Sequence, residues 1–367
     1  MKLSIKSICE QIARILKREK KMLILDNEVQ AALKEELITD SNEQESQSHQ
    51  EHIVSTGGHS IHESGKDENG VEVSSEFIRK QTSIETETDI ILGVSLRGQS
   101  HIESNVGCQD YHLYEPIGSG WDILIVSDGA GSAKFAERGS KANCTIAMKL
   151  LSEMIRQNGW CEKDTLPSEL EWYIEFSAIC QRIKVIYQNK VKELNDGTVE
   201  TDFNSTLLVC VRTPYGILAG HIGDGRMGYL SQNEEWHSLM MPHKGEEANQ
   251  TLFLQNSWNV PCVPALKVSG VSVPETRIVN EVPKVLVLIS DGCERSSWEC
   301  SIWNDIAGKY LDINLPHPGF MNPLVESIRN EQSNRFQLFA DIIDRGTKAC
   351  KMERDDKTML IAIKSLE

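Results

Sequence analysis

At five places in this 367-residue chain, aspartates stand at the ends of apolar runs or in the turns beside them. Carboxylates gathered in that way can share hard divalent cations, which prefer oxygen ligands. Asp128 closes the run "ILIVSDG", Asp291 closes "VLVLISDG", and the pair Asp355-Asp356 directly precedes "TMLIAI". Asp110 lies in "NVGCQDYHLY" and Asp224 in "GHIGDGRMGYL". One Asp-Gly at a strand end is only a turn signal. Its recurrence at Ser127-Asp128-Gly129 and Ser290-Asp291-Gly292 favours a metal site, with glycine where the backbone must come close.

The stretch "ILIVSDGAGSAKFAERGS", residues 123–140, also resembles a strand running into a phosphate-cradling loop. A P-loop lysine must sit at a set distance along G-x-x-x-x-G-K-[ST], and the spacing of Gly129, Gly131 and Lys134 does not supply it. In a dinucleotide fingerprint the third glycine permits close helix packing, and Lys134 occupies that place. The glycines therefore present Asp128 and do not hold a nucleotide.

Short apolar runs begin at Asp89 and supply the strands that must carry these acids: "IILGVSL", "WDILIVS", "STLLVCV", "GILAGHI", "MGYLS", "KVLVLIS" and "TMLIAI". Apolar spacing predicts long helices over about 134–157 and 167–195, with shorter ones between 296 and 350. Thr213-Pro214-Tyr215-Gly216 joins two runs closely enough for a hairpin. Consecutive hairpins favour antiparallel sheet, so the class is α+β, with helices covering sheet faces.

Three segments are expected: an N-terminal helix over 1–39, an acidic linker over 40–88, and a folded domain over 89–367. In the first, Ile5, Ile8, Ile12, Ile15 and Leu16 form one apolar face opposite a basic one. That helix suits packing on its own domain or a partner, with peripheral membrane contact as the alternative. The linker is polar, and its His49, His52, His59 and His62 lack the repeated spacing of a metal site. The net charge of −16 excludes a broad nucleic-acid footprint. No window approaches the roughly 18 uninterrupted apolar residues of a membrane-spanning helix. Ten cysteines without a CxxC pair suit a reducing cytoplasm.

The ordered set "QD", "SDGAGS", "NST", "GDGR", "SDG" and "DDKT" resembles the metal-dependent Ser/Thr protein phosphatases of the PP2C (PPM) type over about residues 90–365. Ser100-His101, Cys108-Gln109-Asp110 and "KGEEANQTLFL" at 244–254 are similar to a bacterial PP2C-like subgroup. The resemblance implies a sandwich of two antiparallel β-sheets between helical layers. It implies that Asp110, Asp128 with the Gly129 carbonyl, Asp291 and Asp355 hold two Mn²⁺ or Mg²⁺ ions. Asp224 matches an acid that could assist a third, weaker metal. Two such cations can bridge a water, lower its pKa from about 15.7 towards neutrality and aim it at phosphorus, so no side-chain nucleophile is needed. The implied reaction is hydrolysis of phosphoserine and phosphothreonine in a phosphoprotein, with a cognate Ser/Thr kinase as the natural counterpart.

Two departures stand out. The bacterial pattern places a phosphate-gripping arginine shortly before the acidic cluster, and no arginine lies between Arg97 and Asp110. His101 is the nearest substitute, as phosphate ligand or general acid, with a structural role weighing equally, and Arg97 is the reserve. Gln109 stands where a Glu is usual, and Asp356 where an Asn is usual. The rival reading is a catalytically weak PP2C-like domain serving as a regulatory or phosphoprotein-binding module. A cysteine phosphatase is excluded, because no cysteine has an arginine six positions on. A calcineurin-like metallophosphoesterase finds only the Gly-Asp core of its motifs.

Overall fold

The computed structural model describes residues 73–243, 251–256, 267–268, 271–300, 302–306 and 308–365. The chain divides between Gly70 and Val71, and everything described belongs to the second unit. The expected N-terminal helix, the linker as far as residue 72 with its four histidines, and most of "KGEEANQTLFL" lie outside the described residues.

The strands are β1 (Ile78–Glu85), β2 (Asp89–Leu96), β3 (Tyr111–Gly118), β4 (Trp121–Ser127), β5 (Leu207–Thr213), β6 (Gly216–Ile222), β7 (Arg226–Leu230), β8 (Trp236–Ser238), β9 (Lys267–Val268), β10 (Val271–Ser272), β11 (Glu275–Val279), β12 (Val285–Ile289), β13 (Ile302–Asn304), β14 (Lys309–Leu311) and β15 (Lys357–Lys364). One antiparallel sheet has the order β1-β2-β15-β12-β7-β8 and the other β11-β6-β5-β4-β3. Two short ribbons, β9-β10 and β13-β14, stand apart.

Between the sheets lies a core that includes Leu124, Val126, Leu208, Met227, Leu286 and Leu360. The helices are α1 (Gln99–Glu103), α2 (Ala136–Gln157), α3 (Glu169–Leu194), α4 (Glu294–Ser297), α5 (Pro318–Asn330), α6 (Arg335–Arg345) and α7 (Lys348–Met352). Phe320, Leu324 and Ile328 of α5 and Phe339 and Ile343 of α6 cover the outer face of the first sheet through Val94, Val287 and Ile361. Helices α2 and α3 lie on the second sheet, where Trp172 Nε1 donates to the Ala219 carbonyl at 2.7 Å. The result is an α-β-β-α sandwich.

Helix α3 starts where Ser168 and Glu171 form a capping box, and it stops at Asn195 in the left-handed conformation. The hairpin expected at Thr213-Pro214-Tyr215-Gly216 joins β5 to β6, with Thr213 opposite Gly216.

One boundary needs correction. The folded domain does not begin at Asp89: β1, inside the expected linker, pairs with β2 along its length. Its sequence "IRKQTSIE" has few apolar residues because it is an edge strand that stays half-buried or exposed.

Candidate metal centre

Antiparallel pairing sends all the predicted acids to one end of the sandwich. Ser127, at the end of β4, lies opposite Tyr111 at the start of β3, so Asp128 and Asp110 share an edge. Ile222, which ends β6, lies opposite Leu207 and brings the Asp224 turn to that edge. In the other sheet Ile289 faces both Met359 and Arg226, so Asp291 follows β12 where Asp355 precedes β15. Leu96 faces Lys357, which places Arg97 and α1 at the same end.

Close backbone packing draws the turns together. A side chain at Gly129 would put its Cβ 2.6 Å from the Ala136 carbonyl oxygen, and one at Gly292 would put it 1.9 Å from the Asp356 carbonyl oxygen. Thr206 grips Asp128 from both sides: its Oγ1 accepts the Asp128 N–H at 2.9 Å, and its own N–H donates to the Asp128 carbonyl at 2.8 Å. Asn143 of α2 donates to Ser205 Oγ at 2.8 Å and to the Thr206 carbonyl at 3.2 Å, which gives the "NST" motif its structural role.

The carboxylates crowd one another. Burial, then Asp356, pushes Asp110 up to about 7, even though Ser290 Oγ donates to it at 2.6 Å. Asp128 lies well above the usual carboxylate range, through burial and through Asp110, Asp291, Asp224 and Asp355. Asp291 is raised likewise by burial and then by Asp224, and it shares a hydrogen bond with Asp128. Thr251 donates to Asp224.

This arrangement fits hard divalent cations. The donor set is all oxygen, its charges repel until neutralised, and Gln109 Oε1 beside Asp110 is buried without a hydrogen-bond partner.

The two candidates for phosphate recognition face other groups, although Arg97 Nε is buried without a hydrogen-bond partner. His101 Nδ1 lies 2.8 Å from Asp356 Oδ1, and an Arg97 guanidinium nitrogen donates to the His101 carbonyl at 2.9 Å. Asp356, only 3% exposed, accepts the N–H of Gly98 at 2.6 Å and of Gln109 at 2.5 Å. It therefore ties α1 to the segment before β3 and organises the site from behind. Its place beside Asp355 was visible in the sequence, but its partners lie about 250 residues away.

Arg79 was missed because it falls in the expected linker. From β1 it donates to the Asp110 carbonyl at 2.8 Å and to the Glu137 carbonyl at 2.7 Å, with its guanidinium 4.9 Å from the Tyr111 ring centroid. The arginine of "GDGR" points elsewhere: Arg226, buried, binds Glu294 at 2.7 Å, Asp312 through both carboxylate oxygens, and Asn314 at 2.7 Å.

A family model described as Protein phosphatase 2C matches residues 97–339. No curated protein matches the chain in sequence. Among solved structures, the serine/threonine phosphatase Stp1 from Staphylococcus aureus is 12% identical, with 79% of this chain and 98% of that one covered and a TM-score of 0.46. The catalytic domain of the serine threonine protein phosphatase PstP, in complex with two manganese ions, is 13% identical, with coverage of 76% and 99% and a TM-score of 0.45. RsbX in complex with magnesium is 13% identical, with coverage of 78% and 100% and a TM-score of 0.43. Among the described residues, no helix is long and apolar enough to cross a membrane.

Proposed function

The chain belongs to the protein phosphatase 2C family, whose model covers well over half of it, and on that premise we propose that it is a cytoplasmic Ser/Thr phosphoprotein phosphatase dependent on Mn²⁺ or Mg²⁺. The observation that carries the reading is the cluster of buried Asp110 with half-buried Asp128 and Asp291, mutually repelling at one end of the sandwich. Asp355 completes it at the exposed mouth. These four carboxylates and the Gly129 carbonyl are the ligands for two ions, and Asp224 is the acid for a weaker third. When bound, the ions supply charge neutralisation at the phosphoryl group and make a water nucleophilic enough to attack phosphorus directly.

The chain's own residues hold this site in order. Ser290 fixes the rotamer of Asp110, Thr206 fixes the backbone of Asp128, and Asp356 locks α1 against Gln109. His101 is in this reading a positioning residue acting through Asp356, and Arg97 supports the same turn. A phosphoprotein is the substrate class, and a Ser/Thr kinase is its counterpart.

The engagement of His101 and Arg97 favours the rival reading of a catalytically weak regulatory module. Manganese-dependent hydrolysis of p-nitrophenyl phosphate and of a phosphothreonine peptide separates the two. Wild type is expected to turn both over, while Asp128→Ala and Asp291→Ala each lose at least about a hundredfold, since each removes a ligand of the centre. Absence of metal-dependent turnover in wild type, or its survival in both variants, overturns the hydrolase reading.

A further inference from the structure

A second cluster of metal-ligating side chains has a different chemistry. His221 sits at the end of β6 and lies directly opposite Glu275, the first residue of β11, in the strand register. His243 follows β8 and is tied to the turn after β6 by its N–H, which donates to the Gly223 carbonyl at 2.7 Å. His221 Nδ1 and His243 Nε2 each lie 4.0 Å from Glu275 Oε2, and one donor atom from each residue lies within 4.8 Å of the other two.

Both imidazoles are buried, and neither ring nitrogen of His221 makes a hydrogen bond of good geometry, its polar neighbours being the Gly223 and Met241 backbones. Ring nitrogens so poorly satisfied are costly in a core, and a ligand bound there would offset that cost. Burial, then His243, holds His221 well below its usual pKa, so it is neutral, the form that binds metal. Glu275 is 24% exposed and gives the cluster access to solvent, while its Oε2 accepts the Met241 N–H at 3.1 Å and is thereby oriented.

We propose that His221, His243 and Glu275 bind one transition-metal dication, zinc by preference, with the remaining position open to water on the Glu275 side. The choice of metal follows from the donors. Two imidazoles and a carboxylate suit zinc, whereas the all-oxygen cluster of Asp110, Asp128 and Asp291 suits manganese or magnesium. Zinc bonds of about 2.0–2.2 Å place tetrahedral donors about 3.4 Å apart, so the present 4.0 Å separations must close by roughly half an ångström. The two rings, now stacked with centroids 4.1 Å apart and 20° between their planes, must also turn until their lone pairs converge. Ligation through Nε2 puts the His243 proton on Nδ1 and breaks the long 3.3 Å contact in which Nδ1 accepts the Gly223 N–H, so the ring must turn away from that donor. A metal here would fasten β11 and the chain after β8 to the turn that carries Asp224.

This inference does not depend on the phosphatase reading, and its test removes the acidic centre first. The full chain carrying Asp128→Asn and Asp291→Asn is stripped of metal, equilibrated with Zn²⁺ or Co²⁺ in excess Mg²⁺, and analysed for bound metal and for the visible Co²⁺ spectrum. One zinc per chain is expected, with Co²⁺ showing the intense bands of a four-coordinate site. Adding Glu275→Gln, which keeps an acceptor for the Met241 N–H, or His221→Gln is expected to weaken zinc binding at least about tenfold. Circular dichroism checks folding, and if His221→Gln fails to fold, Glu275→Gln decides alone. The proposal is overturned if no stoichiometric zinc is retained, or if the folded variants bind zinc as tightly as their background.

Discussion

Replacing Asp356 by Asn should weaken this protein. The carboxylate is 3% exposed and accepts two backbone N–H groups, from Gly98 at 2.6 Å and Gln109 at 2.5 Å, with His101 Nδ1 2.8 Å away. An amide has one acceptor oxygen, so it can satisfy only one of those N–H groups well, and its own NH₂ then faces the other. A lost charge-assisted hydrogen bond costs about 1.5–3 kcal/mol, and a buried donor left unsatisfied about 1–3 kcal/mol more. Removing a charge beside Asp110 relieves repulsion, but only when Asp110 is ionised. The comparison therefore belongs at mildly acidic pH, below the Asp110 pKa of about 7. A net loss of about 3 kcal/mol, with an unfolding entropy of about 0.6 kcal/mol/K for a domain of about 300 residues, lowers Tm by about 5 °C. Thermal denaturation of wild type, Asp356→Asn, His101→Gln and the double variant forms a cycle, and residues in contact should couple by about 0.5 kcal/mol or more. A Tm within about 1 °C of wild type, together with no coupling, would refute the clamp. Loss of manganese-dependent kcat in His101→Gln at unchanged Tm would instead return that histidine to the reacting atoms.

Arg226→Met should destabilise the domain by about 3–5 kcal/mol in urea denaturation, because Glu294, Asp312 and Asn314 would keep their places around a missing guanidinium. Near-wild-type stability would show that those acids relax into water. In chain stripped of metal, Asp110 has a folded pKa of about 7 against about 3.9 unfolded. A raised folded value means stability is fully present below pH of about 4 and is lost as pH rises through about 7, by at most about 4 kcal/mol from this group. Denaturation midpoints at several pH values should show that decline, and saturating Mn²⁺ should flatten it; a metal-independent profile would contradict the crowding of the acids.

What was legible in the sequence follows from burial. The seven strands β2, β4, β5, β6, β7, β12 and β15 are interior to their sheets and covered on both faces, so they read as nearly continuous apolar runs. Of the strands it did not reveal, β1, β3, β8 and β11 are the edges of the two large sheets, and β9, β10, β13 and β14 form the two short ribbons. An edge strand keeps one side towards water, so its composition approaches that of a loop; β3 even contains Pro116, beside a bulge.

Asp128, Asp224, Asp291 and Asp355 were visible as well, because each follows or precedes an interior strand, and antiparallel pairing brings those ends together with Asp110, which precedes the edge strand β3. What only the tertiary structure decided is which neighbours hold them. Asp356 meets Gly98 and Gln109 from the far end of the chain, Arg79 reaches Asp110 from a strand that reads as linker, and His221 meets His243 and Glu275 through the β6–β11 register. Local sequence fixes a residue's type and the element it sits on. Contacts between residues far apart in the chain depend on how two sheets stack and turn, and no local pattern encodes that.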